Sequence, residues 1–367
     1  MQEPLTCIDI FSGCGGASLG FMLRGFQIAA AVDNDETACK TYRNNLGLDP
    51  MVEDITQLSG SEILKRAGMR PAEPTVLIGC PPCQGFSRLR KKKFDKRNRL
   101  VFTYLDIIKS VRPKFVLFEN VPGIMEVARG AYFDSICDGL DAMGYGYVTS
   151  VLDAVNYGVP QFRKRTILLA TRVKGSLSNL RLPSRTHCDP ADKRNLQLAP
   201  WVTVKEAIGD LPPVGAGRKS SLFPNHTPRR HGRLALMRIK GIPKDGGSRR
   251  ELKKVLWLKC HRSTSANVGF RDVYGRLKWD RPAGTITSGC TNQTKGRFLH
   301  PSQNRALTAR EAARLQSFPD KGRPSDGFSR DFVFSGSLDD VSAQIGNALP
   351  VRLAEALADT VKSMVSY

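Results

Sequence analysis

The chain has 367 residues, of which 41% are hydrophobic, so it is long enough for about two domains with buried cores. Its nine irregularly spaced cysteines predict reduced thiols in a cytosolic protein, and no segment resembles a signal peptide or the ~20 apolar residues of a membrane span. Lysine and arginine total 56 against 34 acidic residues, and this net charge of +22 favours a polyanionic partner.

The excess positive charge is concentrated in two segments. Residues 181–300 hold 25 basic and eight acidic residues, and residues 88–99 hold eight basic residues and one acidic residue. A solvated surface explains either segment alone equally well. Two such segments in one chain with this net charge make that explanation less favoured than a polyanionic partner.

Residues 1–171 alternate between short apolar runs and helix-like stretches. The predicted strands are 5–11, 27–33, 75–79, 114–118, 147–152 and 166–171, and the predicted helices are 16–25, 35–45, 60–67, 97–111 and 132–143. This alternation predicts an α/β fold, Rossmann-like, with a mostly parallel central sheet. Ligands of such sheets bind beyond the carboxyl ends of the strands, so residues that follow a strand are candidate site residues.

From about residue 175 to 305 the pattern changes. Pro, Gly, Arg and Lys dominate and periodicity is poor, which predicts a smaller, irregular and basic domain. Helical order returns at Ala306, where Thr308 and Glu311 have the spacing of a capping box. Residues 347–364 have the apolar spacing of an amphipathic helix.

The first predicted strand runs into a glycine-rich turn, Asp9-Ile10-Phe11-Ser12-Gly13-Cys14-Gly15-Gly16. Glycines at such a turn allow the backbone to approach a ligand closely, and an acid about twenty residues later, here Asp33, is placed to bind ribose hydroxyls. The third glycine of the dinucleotide fingerprint would fall at Ser18, so the turn indicates nucleoside binding only. A tight turn without a ligand is the alternative. Asp54 and Ile55 are candidates for contacts with an adenine, and an ordinary strand end explains them equally well.

A second loop of interest follows Val76-Leu77-Ile78 and reads Gly79-Cys80-Pro81-Pro82-Cys83-Gln84-Gly85-Phe86-Ser87. Cys83 lies behind two prolines, and a thiolate is a strong nucleophile that a basic neighbourhood favours. Two alternatives remain for this Cys-x-x-Cys spacing. One is a redox pair, and the other is half of a metal site completed by His187-Cys188 or Cys260-His261.

Two further segments carry charged residues next to predicted strands. Glu119 directly follows an apolar strand, where partial desolvation suits a carboxyl group that donates or shares a proton; a capping or salt-bridge role is the alternative. In Gln161-Phe162-Arg163-Lys164-Arg165, the two arginines face the same side if the chain is extended. Fixed donors there suit a carbonyl oxygen or a phosphate.

These segments, taken in order, resemble the motifs of the C5-cytosine DNA methyltransferases of bacteria and phages. The matching motifs are Asp-x-Phe-x-Gly-x-Gly-Gly at 9–16, Pro-Cys-Gln at 82–84, Glu-Asn-Val at 119–121, Gln-x-Arg-x-Arg at 161–165, the helical segment 310–319 and Gln-Ile-Gly-Asn-Ala at 344–348. The resemblance covers nearly the whole chain. It implies a catalytic and cofactor-binding domain at 1–178, a target-recognition domain at 179–304, and a segment at 305–367 that returns to the catalytic domain.

The resemblance also implies a reaction. Cys83 attacks C6 of cytosine, Glu119 holds the base edge at N3 and the exocyclic amine, and the Pro81 carbonyl accepts from that amine. Arg163 and Arg165 orient the catalytic loop and bind the O2 oxygen. The implied catalytic residues are Cys83, Gln84, Glu119, Asn120, Arg163 and Arg165.

The implied methyl donor is S-adenosyl-L-methionine, which leaves as S-adenosyl-L-homocysteine, and no metal is implied. Phe11 would stack on the adenine and Asp33 would bind the ribose. Family members often have an aromatic residue after that acid, where this chain has Asn34. The implied cofactor-binding residues are Phe11, Gly13, Cys14, Gly15, Gly16, Asp33, Asn34, Asp54, Ile55, Pro81, Asn347 and Ala348.

The implied partner is double-stranded DNA, from which the target base must be flipped because its reacting atoms are inaccessible in the stack. The basic loop would contact phosphates, and the 179–304 domain would read bases in the major groove. The implied DNA-binding residues are Arg88, Arg90, Lys91, Lys92, Lys93, Arg97, Arg249, Arg250 and Arg271, with Thr291 as a further candidate reader. We expect a cytoplasmic, nucleoid-associated monomer, with a cognate restriction endonuclease acting on the same sequence without direct contact.

Three alternatives compete with this interpretation. A tRNA cytosine-5 methyltransferase of the same fold can share Cys83 and Glu119, but the large basic region favours duplex DNA. A non-catalytic DNA-binding relative would have lost Cys83, Glu119 or the glycines. A Rossmann dehydrogenase fits neither Ser18, nor the Pro-Cys-Gln loop, nor the net charge.

Overall fold

The computed structural model describes residues 4–81, 100–195, 197–215, 217–258, 272–324 and 328–365. Its seven main strands are β1 Thr6–Ile10, β2 Gln27–Asp33, β3 Met51–Val52, β4 Val76–Gly79, β5 Phe115–Asn120, β6 Gly146–Asp153 and β7 Lys164–Thr171. They form one sheet in the order β3-β2-β1-β4-β5-β7-β6. The first five are mutually parallel, whereas β7 runs antiparallel to both β5 and β6. The predicted mostly parallel sheet is confirmed.

Helices alternate with these strands as the sequence predicts. The helices are α1 Gly16–Leu23, α2 Glu36–Leu46, α3 Gly60–Ala67, α4 Leu100–Val111, α5 Ala131–Ala142, α6 Lys174–Leu177, α7 Val204–Ile208, α8 Arg233–Gly241, α9 Ala309–Leu315, α10 Leu338–Asn347 and α11 Val351–Val365. Strand β3 has only two residues, too few to produce a pattern in the sequence, and it was not predicted. The predicted helix over 347–364 is confirmed as α11, but it begins four residues later, at Val351, directly after Pro350, and the preceding α10, which ends at Asn347, was not predicted. In the part of the chain that the structure describes, no helix is both long and apolar enough to cross a membrane.

The chain divides into two compact units. Unit 1 comprises residues 1–157, 164–185 and 349–367, and unit 2 comprises 158–163 and 186–348. Residues 305–348, which the motif order groups with the returning C-terminal segment, pack within unit 2. The functional boundaries at 178 and 304 stay a prediction.

In unit 1, the C-terminal helix α11 packs on α1 so closely that Gly20 has no room for a side chain. A Cβ at Gly20 would overlap the Cβ of Ala354 and lie 2.8 Å from the backbone nitrogen of Glu355. At the end of α1, Arg24 Nη2 pairs with Glu355 Oε2 at 2.7 Å, and Lys362 Nζ donates to the Arg24 carbonyl at 3.1 Å. Backbone contact and ion pairs thus attach the end of the chain to α1.

Among the described residues of unit 2 there is little regular structure, and the strands β8 His187–Cys188 and β9 Ala199–Pro200 form a two-stranded sheet. A fully buried arginine, Arg276, replaces much of the missing backbone pairing. It donates to four backbone carbonyls at 2.6–3.2 Å, those of Ile239, Ile242, His300 and Gln303. Burial lowers the pKa of Arg276 to about 10, so it stays charged at neutral pH.

A second buried network in unit 2 surrounds the start of α9. The predicted capping box is confirmed, since Glu311 N donates to Thr308 Oγ1 at 3.1 Å and Thr308 N donates to Glu311 Oε2 at 2.8 Å. Arg305 binds both carboxylate oxygens of Glu311 at 2.7 Å. Burial raises the pKa of Glu311, but Arg305 outweighs it and lowers the pKa to about 2. His300 Nε2 lies 3.7 Å from this carboxylate.

We predict that Gly20→Ala destabilises the protein. A glycine-to-alanine change in an open helix stabilises by up to about 1 kcal/mol, but here the added methyl overlaps α11, and overpacking costs roughly 1–3 kcal/mol. Urea unfolding measures the change. Gly175→Ala in α6, where the Cβ meets no atom within 4 Å, is the matched control and should be neutral or stabilising. A Gly20→Ala protein at least as stable as the parent would contradict the packing of α1 on α11.

We also predict a pH dependence of stability from His300. Burial lowers its pKa from 6.5 to about 4, although Glu311 opposes the shift. Because the folded-state pKa is depressed, the stabilising contribution is fully present above pH 6.5 and is lost as the pH falls towards 4. The loss is on the order of 3 kcal/mol.

The His300→Asn variant tests this dependence. His300 Nδ1 accepts from the backbone nitrogens of Ser302 and Gln303 at 3.1 and 3.0 Å, and an asparagine oxygen can take over both hydrogen bonds without titrating. The free energy of unfolding, measured between pH 7 and 4, should fall less steeply with pH in the variant. The difference in slope should correspond to about one proton taken up on unfolding. Identical slopes would show that His300 is not protonated on unfolding.

Candidate active site

The glycine-rich turn after β1 has an unusual backbone. Phe11 has a φ of +66°, a left-handed conformation that is strained for a side chain of this size. Gly13 and Gly15 follow with φ of +51° and +94°, and a Cβ at Gly15 would lie 2.7 Å from Leu46 on α2. Phe11 is only partly buried, against the core of the sheet. The turn therefore needs glycine at 13 and 15.

Asp33, at the end of β2, holds this turn in place. Its Oδ2 accepts from Gly13 N at 2.7 Å and its Oδ1 accepts from Asp35 N at 2.9 Å. Burial raises the pKa of Asp33, and these backbone hydrogen bonds oppose the shift. The structure thus brings Asp33 next to the glycine turn, as the nucleoside-site prediction requires, while Asn34 is exposed.

Below the turn, a buried polar chain connects β1, α1 and α2. Tyr42 OH donates to Ser18 Oγ at 2.9 Å, and Ser18 Oγ donates to Asp9 Oδ2 at 2.5 Å. Burial, together with the nearby Asp33, raises the pKa of Asp9 to about 7, although the hydrogen bond from Ser18 opposes the shift. The departure from the dinucleotide fingerprint at Ser18 has a structural reason, because a glycine there would leave Asp9 without this donor. The sequence analysis did not predict this series of hydrogen bonds, although Asp9 is a lone acid within an apolar strand.

The turn fits a cofactor with ribose hydroxyls and a positive charge, as S-adenosylmethionine has. Among the described residues, Asp9 Oδ1 and Ser12 Oγ are buried without a hydrogen-bond partner. No atom lies within 4 Å of the position of a Cβ on Gly13, so the turn has open space beside it. Each Asp33 oxygen has a second lone pair that a hydroxyl can use.

The other predicted adenine contacts have roles within the fold. Asp54 is exposed, and its Oδ1 accepts from Thr56 N at 2.9 Å at the start of a single helical turn over Ile55–Gln57. Ile55 is buried in the main core of unit 1. Their contact with adenine stays a prediction.

At the carboxyl ends of β4 and β5, the structure gathers four of the predicted residues. Glu119 Oε1 and Arg165 Nε form an ion pair at 2.6 Å, with 11% of each side chain exposed. Asn120 Nδ2 donates to the Pro81 carbonyl at 3.2 Å, and Asn120 Oδ1 accepts from Val121 N at 2.9 Å. Asn120 therefore fixes the peptide at which the described part of the Pro81 loop ends.

Cys80 lies beside this ion pair. Burial raises the pKa of its thiol well above the ordinary value, and the carboxylates of Glu119 and Asp9 raise it further, while Arg165 opposes them. The thiol of Cys80 therefore stays protonated at neutral pH. A nucleophile must be deprotonated, so Cys80 is poorly suited to that role.

Arg163 does not share the surroundings of Arg165. It is 1% exposed and belongs to unit 2, where its Nη1 donates to the Ile286 carbonyl at 2.7 Å. Its Nη2 donates to the carbonyls of Gly346 and Ala348 at 2.8 and 3.1 Å. Three of its donor contacts thus go to the backbone, while Arg165 in unit 1 contacts Glu119. The prediction that both arginines grip a base or phosphate remains untested.

The remaining predicted residues are either not part of the cluster around Glu119 and Arg165 or lie outside the described residues. Cys14 is buried, and burial raises its pKa to about 12. Asn347 is the last residue of α10, in unit 2. The residues outside the described ranges are Cys83, Gln84, Arg88, Arg90, Lys91, Lys92, Lys93, Arg97 and Arg271.

Of the predicted base readers, Arg250 is exposed and Arg249 is half-buried, both in a helical turn over Arg249–Glu251. Thr291 is 1% exposed, and its Oγ1 hydrogen-bonds Ser342 Oγ at 2.7 Å. The expectation that Thr291 reads bases is therefore wrong, because its hydroxyl is inside the protein and already used. Its neighbours in sequence are polar, which gave no sign of burial.

The described residues contain no group of three His, Cys, Asp or Glu side chains that could hold a metal ion. His187 and Cys188 form β8, and Cys260 and His261 lie outside the described ranges.

Comparisons with known proteins agree with the geometry of the site. A model of the C-5 cytosine-specific DNA methylase family matches residues 5–363. The chain is 33% identical to the Type II methylase M.HgiDII of Herpetosiphon aurantiacus over 97% of this chain and 94% of that protein. It is 34% identical to the Type II methyltransferase M1.HphI of Haemophilus parahaemolyticus over 98% of this chain and 87% of that protein.

Solved structures support the fold. An E. coli protein assigned as a DNA modification methyltransferase encoded within a prophage superposes with a TM-score of 0.71 at 24% identity, over 99% of this chain and 100% of that one. The Dnmt2 methyltransferase of S. pombe superposes with a TM-score of 0.62 at 19% identity, over 99% and 100% of the two chains. At these identities the superpositions show a shared fold only. The family match and the sequence relatives carry the conclusion that this chain belongs to the C-5 cytosine-specific DNA methylase family, and so is a DNA cytosine-5 methyltransferase.

Proposed function

We propose that this enzyme methylates cytosine in duplex DNA through a covalent adduct of Cys83, with S-adenosylmethionine bound at the glycine turn. The observation that carries the proposal is the Glu119–Arg165 ion pair beside the anchored Pro81 carbonyl, at the strand end that leads to Cys83. A carbonyl oxygen at this position can accept from the exocyclic amine of a flipped cytosine, and a carboxyl group can share a proton with N3, which is an acceptor.

The roles of the chain's own residues follow from cytosine chemistry. C5 of cytosine is a poor nucleophile, and addition of the Cys83 thiolate to C6 converts the ring to an enamine that can take a methyl group at C5. Loss of the C5 proton and of the thiol then restores the aromatic ring and the free cysteine. Glu119 holds N3 and the exocyclic amine, and a proton shared between its carboxyl group and N3 offsets the negative charge that the attack of the thiolate brings to the ring. Arg165 fixes the Glu119 carboxylate through one oxygen, which leaves the other oxygen for the base.

Bound at the turn, S-adenosylmethionine supplies an electrophilic methyl group. Asp33 would hold its ribose hydroxyls, since both carboxylate oxygens retain lone pairs. Phe11 would stack on the adenine, with its strained backbone holding the ring at the turn. Asp9, buried and unpartnered at Oδ1, would face the positive part of the cofactor.

Three further aspects belong to this proposal. Base reading by Arg249, Arg250 and Arg271 and phosphate contacts by residues 88–99 rest on charge and on the family's motif order. A cognate restriction endonuclease rests on the Type II names of the relatives, M.HgiDII and M1.HphI. Action as a monomer on the nucleoid rests on the DNA substrate alone.

The tRNA alternative has less support. The matching family and the curated relatives described above are named for DNA or for Type II modification. The basic stretch of residues 181–300 is also large for a protein that recognises one small RNA.

The first test is methylation in a host that lacks cytosine methylation, followed by base-resolution sequencing of 5-methylcytosine. The wild-type enzyme should methylate one short motif throughout the genome. Cys83→Ser should lower turnover by about 10³-fold or more, because the covalent route requires the thiolate.

Two controls make this result specific. Cys137→Ser, on α5 and outside the site, should methylate as the wild type does. Cys80→Ser should retain measurable methylation, because Cys80 is not the proposed nucleophile. Methylation by Cys83→Ser at the wild-type rate, or its loss in Cys80→Ser alone, would overturn the assignment of the nucleophile.

We further predict that Asp33→Asn weakens S-adenosylmethionine binding roughly 10- to 100-fold, because hydrogen bonds to a charged group contribute about 1.5–3 kcal/mol. Titration calorimetry without DNA measures this directly. Asp49→Asn is a matched control, since Asp49 is an exposed acid on the same unit that pairs with Arg43. Equal affinities for Asp33→Asn and the wild type would place the cofactor elsewhere.

A further inference from the structure

A basic cavity lies in unit 1 at the edge of the sheet opposite the candidate active site. Its volume is about 380 Å³, and its polar lining includes Lys109, Arg112, Gly144, Tyr145 and Arg172. Arg112 precedes β5 and Arg172 follows β7, where Phe115 pairs with Thr171. Glu119 is four residues further along β5, about 13 Å at the usual strand rise. The cavity is therefore separate from the reaction site.

Hydrogen bonds hold one guanidinium group of the cavity, that of Arg172, in a fixed position. Arg172 Nε donates to the carbonyls of Arg112 and Pro113 at 3.1 and 3.2 Å. Tyr145 OH donates to the Pro113 carbonyl at 2.7 Å. Burial raises the pKa of Tyr145 to about 12, and the charges of Arg172 and Arg112 oppose that shift. Arg172 and Tyr145 thus share the Pro113 carbonyl as an acceptor, and Arg112 lies one residue before it in the chain.

Arg112 occupies a position that a glycine would fill more easily. It follows the last residue of α4 with a φ of +52°, and its nitrogen donates to the Ile108 carbonyl at 2.8 Å. Glycine is the usual residue at this left-handed position after a helix, because a Cβ is strained there. Strained non-glycine residues of this kind cluster at functional sites.

The partial negative charges at the ends of the neighbouring helices are too small to balance the three positive side chains of the cavity. Helices α4 and α5 both end at this cavity, and each carboxyl end carries about half a negative charge. Lys109, Arg112 and Arg172 exceed that by about two charges. In the part of the chain that the structure describes, no acidic side chain pairs with any of the three within 4 Å. The surplus is therefore available to a ligand.

We propose that this cavity binds a phosphate group, either of the DNA backbone or of a free phosphate compound. Two guanidinium groups and an ammonium match the geometry and the charge of a phosphate. Gly144, with a φ of +78°, has no atom within 4 Å of the position of a Cβ, so this part of the lining leaves open space for an anion. The site extends the DNA-binding surface to the far edge of the sheet, or gives a phosphate compound a place on the enzyme.

The test compares the double variant Lys109→Gln/Arg112→Gly with the wild type. The glycine removes the guanidinium and relieves the backbone strain, so the variant should fold. The double variant Lys40→Gln/Lys65→Gln removes two charges from exposed positions of α2 and α3 and is the matched control. Two probes are used, namely inorganic phosphate at constant ionic strength and duplex DNA of two lengths.

Inorganic phosphate should raise the Tm of the wild type and of the control by roughly 2–4 °C and leave that of the cavity variant unchanged, if the ligand is a free phosphate. If the ligand is the DNA backbone, the salt dependence of binding should change instead. On a duplex of about 150 bp, the slope of log K against log salt should fall by roughly two in the cavity variant only. On a duplex of about 20 bp it should not change, because a duplex far below the persistence length of about 150 bp is too stiff to bend from one edge of the sheet round to the opposite edge.

A cavity variant that matches the control in both experiments overturns the proposal. Methylation of the short duplex should be equal in all three proteins, so a failure here is distinguishable from a failure of the proposed reaction. Neither probe depends on turnover, and the cavity can therefore be tested in a Cys83→Ser background.

Discussion

The candidate active site is arranged around one buried ion pair, Glu119 with Arg165, and the pair depends on the antiparallel direction of one strand, β7. Glu119 lies at the carboxyl end of β5, and Arg165 lies near the amino end of β7. Only because β7 runs antiparallel to β5 do these two ends meet. In an all-parallel sheet, the start of β7 would lie at the opposite edge. A charge at this depth without its partner is costly, commonly 3–5 kcal/mol, so the topology and the site are linked.

The net charge of +22 overstates what is available to DNA. Arg276 is fully buried, and Arg297 Nη1 donates to the carbonyls of Gly246, Gly247 and Arg276 at 2.8–3.3 Å. Unit 2 has few helices and strands, so its buried carbonyls need other donors, and a guanidinium supplies five. Part of the basic composition of residues 181–300 therefore holds the unit together. A charge count from sequence cannot separate this share from the share that meets phosphate.

The sequence predicts unit 1 well because periodicity reports burial in regular elements. Six strands and five helices follow from it, and Thr308 with Glu311 marks the start of α9 through local chemistry alone. The later start of the C-terminal helix, at Val351 rather than 347, could have been predicted from the sequence, since Pro350 cannot continue a helix from Asn347. The burial of Thr291 could not, because it comes from contact with Ser342, 51 residues away. Unit 2 as a whole is set by such distant contacts, which leave no period in the sequence.

In unit 1, a group of acidic residues lies at one edge of the sheet and a group of basic residues lies at the opposite edge. This arrangement suits a basic enzyme with a cationic cofactor. The carboxyl edge of the sheet carries Asp9, Asp33 and Glu119, whereas the opposite edge carries Lys109, Arg112 and Arg172. A positive chain repels a sulfonium unless acids lie close to it. Because exposed charges are screened beyond ~8 Å at physiological salt, nearby buried carboxylates outweigh the distant excess of lysine and arginine. The glycine turn can therefore attract a cation while the rest of the surface attracts DNA.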